Sequence, residues 1–408
     1  MPRGRATAAR VPIYIPALLI SASAVNILST DLYTPSLPHL QGYFATDAES
    51  VQLTMSLNLL GFALMQLVFG PLSDRFGRRP ILLGGMLGFA LATLACALAP
   101  DIESLIVARV LQGATACAEV VVGYAVIREL YDEAGAVKVL GAYGMAVALA
   151  PAVGPLIGGQ MHVTFGWRSN FVLLLVLIVV ATLLIWRFLP ETLAQPDREA
   201  TRPRKVLAGY KALLRNGPYM TYAMALGGAM AALFAFITEG PFLFIESLGV
   251  ATERYGYYYA AVVLAYFFGA MAANRAAGRL HVDVISVAGL LLSALGSVAL
   301  IALTAFGLVG VLAFTAGLSA FALGLGLVFA SAPVRAFDVC TAGRGLAAAL
   351  LGAIQIGCAG LGALLVAWLH DGSAWALSLT MALCTVLPLL AYLAIRPWRF
   401  VEAAGSAP

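Results

Sequence analysis

The chain has 408 residues, of which 62% are hydrophobic and 11% are charged, and its 24 Lys and Arg against 20 Asp and Glu give a net charge of +4. Soluble domains are roughly 45–50% apolar and about 25% charged, so a water-soluble globular protein is excluded. The small positive excess does not indicate nucleic acid binding, because the basic residues are concentrated in alternate loops between apolar segments.

Apolar segments bounded by charge, Pro or Gly predict six membrane-spanning helices in the first half of the chain. The first of them follows Arg3, Arg5 and Arg10 and contains small residues at 22–24, a pattern that imitates a secretory signal and its cleavage site. Because apolar residues continue to Leu28, we interpret this segment as an uncleaved helix. The six spans lie at roughly 13–34, 51–71, 80–99, 102–128, 137–162 and 167–189.

A second set of six spans follows a polar stretch at residues 190–216. The chain is therefore predicted to be an all-α membrane protein of twelve helices in two bundles, 1–189 and 217–408, joined by this linker. The loops GPLSDRFGRRP after the second span and GAMAANRAAGRL after the eighth are similar, which favours pseudo-symmetric halves. The second set lies at roughly 217–240, 255–274, 284–306, 308–332, 344–369 and 373–395.

Loop charge predicts the orientation of these spans. Of the 24 Lys and Arg, 21 fall on the side of the two termini and the linker, whereas the opposite side has only Arg168 and Arg254, and Arg109 lies within the fourth span. Positive loops stay in the cytoplasm. Both termini and the linker are therefore predicted to be cytoplasmic.

Neither a metal site nor a disulfide is expected. The five cysteines occur singly in or beside apolar segments, and none of the four histidines has a second ligand at helical spacing. We interpret the cysteines as small packing residues and expect no cofactor.

Few ionisable residues lie inside the spans, where each costs about 2.5–3.5 kcal/mol and needs a reason to be present. Asp31 and Arg109 lie at similar depths, with Asn26 and Asn58 nearby, so we expect these side chains to share a small-molecule cavity. Two alternatives are a structural Asp31–Arg109 ion pair between helices and an Asp31 that reaches to the outer interface. Retention of charge in lipid favours a functional role.

Glu119 lies about three turns deeper than Arg109 on the same span. It is either a second proton or cation site or an interhelical acid that stays protonated, and the sequence does not separate the two. Several aromatic residues are candidates for lining the cavity, although each could instead pack or face lipid: Tyr33, Phe62, Tyr143, Phe236 and Tyr266.

Two segments are candidate gates. The loop 70–80 combines Gly70, Asp74 and Arg78, and its acid and spaced glycines exceed what an ordinary positive cytoplasmic loop requires. In the fifth span, Pro155 and a neighbouring proline kink the helix, while Gly154 and Gly158 let another helix approach closely. The alternative for the fifth span is a packing seam without movement.

Four motifs, in the expected order on the expected spans, resemble the major facilitator superfamily. They are GPLSDRFGRRP at 70–80, RVLQG at 109–113, APAVGPLIGG at 150–159 and DLYTPSLP at 31–38. The resemblance extends over about 12–396 and is greatest to the twelve-span drug:proton antiporters, specifically the bicyclomycin and chloramphenicol resistance (Bcr/CflA) branch. Thr34 and Glu119 depart from the pattern of that branch.

The resemblance implies a monomeric pump of the bacterial inner membrane that exchanges protons for amphipathic drugs by rocking its two bundles. Asp31 would carry the proton and contact the substrate, and Arg109 would adjust the Asp31 carboxylate. Asp74, Arg78 and Glu129 would form a cytoplasmic charge network that holds the outward-facing state. The proton gradient would supply the energy, with no nucleic acid partner.

Other functions are less well supported by the sequence. Export of an endogenous metabolite, such as an amino acid or small peptide, is the alternative transporter hypothesis. A membrane enzyme would need a nucleophile with its base, or a metal cluster, and neither grouping is visible. A nucleotide-driven pump would need a G-x-x-x-x-G-K-[ST] loop, which the chain lacks.

Overall fold

A computed structural model describes residues 14–131, 133–193, 195–197, 201–340 and 344–398. In the long helix Glu133–Phe165 the backbone is described throughout, and most side chains only from residue 150 onward. The described residues fold almost entirely into helices.

Among its described residues, the first half contains seven α-helices. A single 3₁₀ turn, Thr34–Ser36, separates the first two. The helices are α1 (Tyr14–Asp31), α2 (Leu37–Phe44), α3 (Ala48–Phe76), α4 (Arg78–Leu98), α5 (Ile102–Leu130), α6 (Glu133–Phe165) and α7 (Arg168–Phe188).

The parts of the linker and second half that the structure describes contain seven more α-helices. A π-helical turn, Phe242–Ser247, extends the second of them. The helices are α8 (Pro203–Leu214), α9 (Gly217–Pro241), α10 (Thr252–Ala276), α11 (Val282–Ala305), α12 (Val311–Asp338), α13 (Arg344–Trp368) and α14 (Ala374–Ile395).

Polar caps and left-handed glycines set several helix ends. Asp47 accepts a hydrogen bond from the Ser50 backbone at the start of α3, and Asp101 caps α5 in the same way through Ser104. Gly77, with φ at 102°, turns the chain between α3 and α4. Residues other than glycine rarely adopt this φ, so the turn between these spans depends on glycine.

Eleven helical segments of the described residues are long and apolar enough to cross a membrane, one of them formed by α1 and α2 together. α6, with 33 residues, is a further long helix. An all-α membrane fold is therefore confirmed. The count of twelve spans and the cytoplasmic termini stay predictions.

Helix contacts fall mainly within two groups, α1 to α7 and α9 to α14. Between the groups, α3 packs on α13 and α6 packs on α10. Small residues allow the first crossing: an added Cβ on Gly360 would press on Leu60, and one on Gly352 on Gln66. The domain boundaries themselves stay predictions.

The linker is more structured than its polar composition suggested. Its helix α8 buries Tyr210 and Leu213 against the second half, and the Tyr210 hydroxyl donates to the Leu67 carbonyl of α3 at 3.3 Å. The amphipathic spacing of α8, with apolar residues on one side, accounts for this packing.

Candidate functional site

A cavity of about 1300 Å³ lies between the two helix groups. Its deep part is lined by Asp31 of α1 and Tyr259 of α10. Its walls then run to the ends of α3, α4 and α5, where Asp74 and Glu129 are partly exposed beside the buried Arg78. We call this end of the bundle the basic end and the other the sealed end.

Asp31 is the last residue of α1 and is 3% exposed. Its Oδ1 accepts a hydrogen bond from the Tyr259 hydroxyl at 3.1 Å, so the carboxyl is held by the second half of the chain. Gly154 of α6 faces the Asp31 Cβ so closely that no side chain fits between them. A buried carboxyl therefore lies where three helices from both halves meet.

Arg109 does not face Asp31. It is fully buried inside the first half, and its guanidinium donates to the carbonyl oxygens of Ser29 at 3.1 Å and Thr54 at 3.3 Å and to Gln112 Oε1. Arg109 is not part of the cavity lining, so the expected shared cavity is wrong for this conformation. Counting residues gives depth along a helix, whereas here the two side chains point in different directions.

The expected alternatives for these two residues also differ from what is observed. Asp31 lies at the interface between the halves rather than reaching outward, and Arg109 binds backbone carbonyls rather than a carboxylate. Arg109 thus ties α1 and α3 to α5. Of the described carboxyls that line the cavity, Asp31 is the buried one.

Glu119 of α5 lies behind the cavity wall. Its Oε1 accepts a hydrogen bond from the Ser23 hydroxyl, and Asn26 is a second hydrogen-bonding neighbour. Ser23 and Asn26 line the cavity, whereas Glu119 does not. Glu119 Oε2 is buried without a hydrogen-bond partner among the described residues. The acid is therefore one side chain removed from the cavity.

Most of the predicted lining residues reach the cavity: Asn26, Asn58, Phe62, Phe236 and Tyr266. Tyr33 does not. Its ring lies 5.1 Å from the Arg109 guanidinium and its hydroxyl lies 3.0 Å from Thr54, inside the first half. The side chain of Tyr143 lies outside the described residues.

A network of ion pairs occupies the basic end of the first half. Arg78 pairs with Asp74 at 2.6 Å and with Glu129 at 2.8 Å. Two residues that the sequence did not single out extend it: Glu191 accepts from the Arg78 backbone at 2.9 Å, and Thr192 donates to Glu129 at 2.7 Å. The linker thus caps the start of α4.

This network was expected to hold a state closed at the basic end. Here it is complete while the cavity opens at that end, and Asp74, Arg78 and Glu129 all belong to the first half. The network therefore does not by itself close the cavity. Gly70, although it lines the cavity, has only ordinary contact space around an added Cβ, so close approach does not require glycine there.

Comparison with known proteins agrees with this architecture. The sequence matches the Major Facilitator Superfamily over residues 19–367. It is 30% identical over 347 residues to the multidrug transporter MdfA of Yersinia pestis bv. Antiqua (strain Angola), with 85% of each chain covered. It is 28% identical over 366 residues to the multidrug transporter MdfA of Escherichia coli O157:H7, with 89% of each covered.

The chain belongs to the Major Facilitator Superfamily. It is accordingly a transporter and not an enzyme, and it is a multi-pass protein of the bacterial inner membrane. Membership of the Bcr/CflA branch stays a prediction.

Solved structures of the superfamily share the fold. The E. coli xylose transporter XylE, in a partially occluded inward-open conformation, superposes with a TM-score of 0.72 at 14% identity, covering 93% of this chain and 96% of that one. A bacterial homologue of the human lysosomal transporter Spinster gives a TM-score of 0.73 at 15% identity, covering 95% and 98%.

The glycines of α6 allow close contacts with neighbouring helices beside Asp31. An added Cβ on Gly158 would collide with the carbonyl oxygen of Leu32, the residue that follows α1, and one on Gly159 would press on Thr252 of α10. α6 therefore touches both the helix that carries Asp31 and the opposite half. Pro151 lines the cavity, whereas Pro155 continues the same helix at the level of the glycines.

Replacing Gly158 by alanine is expected to destabilise the transporter by about 1–3 kcal/mol, because the new methyl group meets backbone that must shift. Thermal unfolding in detergent would measure this. Gly84→Ala in α4 is the matched control: its Cβ meets nothing within 4 Å, and alanine favours a helix over glycine by about 1 kcal/mol. Equal stability of the two variants would contradict the close α1–α6 contact.

A second charge cluster at the basic end was not predicted from the sequence. Asp283, at the start of α11, pairs with Arg335 of α12 at 2.8 Å and with His281 at 3.2 Å, and accepts from Tyr222 at 2.7 Å and Tyr392 at 3.1 Å. Asp283 lies one residue before the predicted span 284–306 and so was not among the ionisable residues expected inside the spans. Its sequence signal is an acid beside an otherwise basic loop.

Arg78 and Asp283 lie at the start of the third span of their halves, which are α4 and α11. Glu129 and Arg335 lie near the end of the fourth spans, α5 and α12. The two pairs therefore hold equivalent places with their charges exchanged.

Proposed function

We propose that this transporter exports amphipathic drugs across the bacterial inner membrane in exchange for protons. The observation that carries the proposal is the buried carboxyl of Asp31. This residue belongs to the first half, lines the cavity between the halves and accepts a hydrogen bond from Tyr259 of the second half. A group that gains or loses a proton there changes a contact between the halves. Proton binding and movement of the halves would thus act through one side chain.

The cavity suits amphipathic molecules. Aromatic and aliphatic side chains such as Phe62, Phe234 and Tyr266 make up most of the wall, and polar side chains such as Asp31, Asn58 and Gln66 lie among them. Apolar walls with a small number of oriented polar groups are typical of small-molecule sites. The relatives are multidrug transporters by name, which supports the same substrate class.

The direction of opening fits export. With the termini in the cytoplasm, as loop charge predicts, the basic end faces the cytoplasm and the cavity is open to drug from inside. The sealed end would then have to open for release outside. Alternating access between these two states is the transport cycle that we propose.

Glu119 is proposed as a second protonatable group. Its carboxyl is joined to Ser23, a residue of the cavity wall, and its second oxygen has no partner among the described residues. A proton on that oxygen would need no rearrangement of Ser23. The alternative is a permanently protonated acid that only ties α5 to α1.

Efflux in an efflux-deficient bacterium tests the function. Expression of the chain is expected to raise resistance to chloramphenicol and to a lipophilic cation several-fold, and both drugs are expected to release a stored proton gradient in everted vesicles. Rescue of growth under amino acid or dipeptide overload, without drug resistance, would instead favour the metabolite exporter.

A Glu119→Gln variant in the same vesicles separates the two roles of Glu119. A second proton site predicts fewer protons released per drug, whereas a permanently neutral acid predicts an unchanged ratio.

A further inference from the structure

The sealed end is closed by polar contacts between the halves. Gln52 of α3 donates from Nε2 to Glu239 Oε2 of α9 at 2.7 Å, and His370, which follows α13, lies 2.8 Å from Glu239 Oε1. Gln52 and Glu239 are 0% and 1% exposed. This cluster joins α3 of the first half to two elements of the second, at the end away from the drug cavity.

The donors and acceptors in this cluster have a fixed order. The amide nitrogen of Gln52 donates to the Glu239 carboxyl, and the Nδ1 of His370 lies within 3.0 Å of both of its oxygens. Two N–H groups directed at one carboxyl are satisfied when that carboxyl is ionised. The interhalf contact is therefore strongest with a charged Glu239, and a protonated His370 makes it an ion pair.

The charged groups that act on His370 are all acidic: Glu239 from α9, Glu246 from the π-helical turn and Asp371, its neighbour in the chain. Gln52, the residue that α3 directs at this cluster, is neutral. The hydrogen bond that His370 donates to the Glu239 carboxylate raises the pKa of His370 above its ordinary value of 6.5. Because the pKa is raised, the ion pair is present below it and is lost as pH rises through it.

We infer that Gln52, Glu239 and His370 form a proton-binding lock that holds the sealed end closed while His370 is protonated and loosens when that proton leaves. The ligand of this site is a proton, taken up from the side of the membrane that the sealed end faces. The site is separate from Asp31 and Glu119, and it acts on closure rather than on drug binding.

A second contact of the same chemistry provides the comparison. Gln41 of α2 donates from Nε2 to Glu246 Oε1 at 2.9 Å. This contact also joins the halves at the sealed end, but the contact is exposed to solvent. Exposed charge contacts contribute little because water and salt screen them. Only the buried pair is expected to control closure.

The inference rests on the proposed function only in that the sealed end opens during transport. The test is a distance measurement between two spin labels in full-length protein in lipid nanodiscs, with the five native cysteines replaced. The labels sit at Gly42→Cys, where an added Cβ meets open space, and at the exposed Ala251→Cys across the interface.

In this assay Gln52→Ala and Glu239→Gln are expected to shift the population toward the longer distance about tenfold, as loss of a buried hydrogen bond to a charged group would. Gln41→Ala is expected to shift it less than about twofold. The open population should grow as the pH rises through the pKa of His370, which lies above its ordinary value of 6.5, and this dependence should be lost in His370→Gln. Unchanged elution on gel filtration confirms that each variant is folded.

The contrary results are distinct. If drug addition lengthens the distance but Gln52→Ala and Glu239→Gln do not, the lock is wrong and the proposed function stands. A pH response that persists in His370→Gln would assign the proton to another group and overturn the inference. If neither drug, pH nor any variant lengthens the distance, the sealed end does not open, and the proposed alternating access fails.

Discussion

Replacing Asp31 by asparagine is expected to abolish drug-driven proton release in everted vesicles, to the level of vesicles without the protein. Asparagine fills nearly the same volume and can still accept a hydrogen bond from Tyr259, so the interface between the halves should survive. It cannot exchange a proton, and so the step that couples drug to proton is lost. Collapse of the gradient on drug addition is the measurement.

Asp101→Asn is the matched control for this substitution. Asp101 is an exposed carboxylate that caps α5, a position where asparagine caps equally well, and proton release should be unchanged. An Asp31→Asn transporter that still released the gradient at the parental rate would place the coupling proton elsewhere, and the cavity carboxyl would then have a binding role alone.

Replacing Arg109 by methionine is expected to cause the largest loss of stability of any single substitution in the first half. Gln112 Oε1 would lose its donor in a buried site, at about 1–3 kcal/mol for a group left unsatisfied, and the contacts of Arg109 with the Ser29 and Thr54 carbonyl oxygens would be lost as well. The variant should unfold at a markedly lower temperature and export nothing.

Two further variants calibrate this result. Arg109→Lys keeps the charge but lacks the planar fork that reaches α1, α3 and Gln112 together, so only part of the stability should return. Arg254→Met removes an exposed arginine and should change the unfolding temperature little. An Arg109→Met protein as stable as the parent would show that these buried contacts do not hold the bundle.

Hydrophobicity predicted the spans well because the length and apolar composition of a segment are enough to indicate a membrane helix. Their ends were predicted less well. α3 was expected to stop at 71 and continues to Phe76, and α12 continues past Pro333 to Asp338. Both helices contain a proline that was taken as a boundary. Proline removes one backbone donor and kinks a helix, and it need not end a helix held by its neighbours.

The candidate site was predicted in part. Asp31, Asn26 and Asn58 stood out because polar groups are rare in spans, and all three line the cavity. Arg109 was misplaced because depth along a helix does not give the direction of a side chain around it. Tyr259 gave no signal, since it is one of several tyrosines in one segment and only the tertiary fold brings it to Asp31.

The exchanged charges at the basic end have an electrostatic consequence. Asp283 at the start of α11 and Arg335 near the end of α12 complement the partial charges of their helix termini, whereas Arg78 begins α4 and Glu129 nearly ends α5 with the opposite sign. Each such mismatch costs about 0.3–1 kcal/mol, and the same amount is gained in the second half. Of the two halves, the first therefore has the more easily rearranged rim at the basic end, and the second provides the stiffer surface against which it moves.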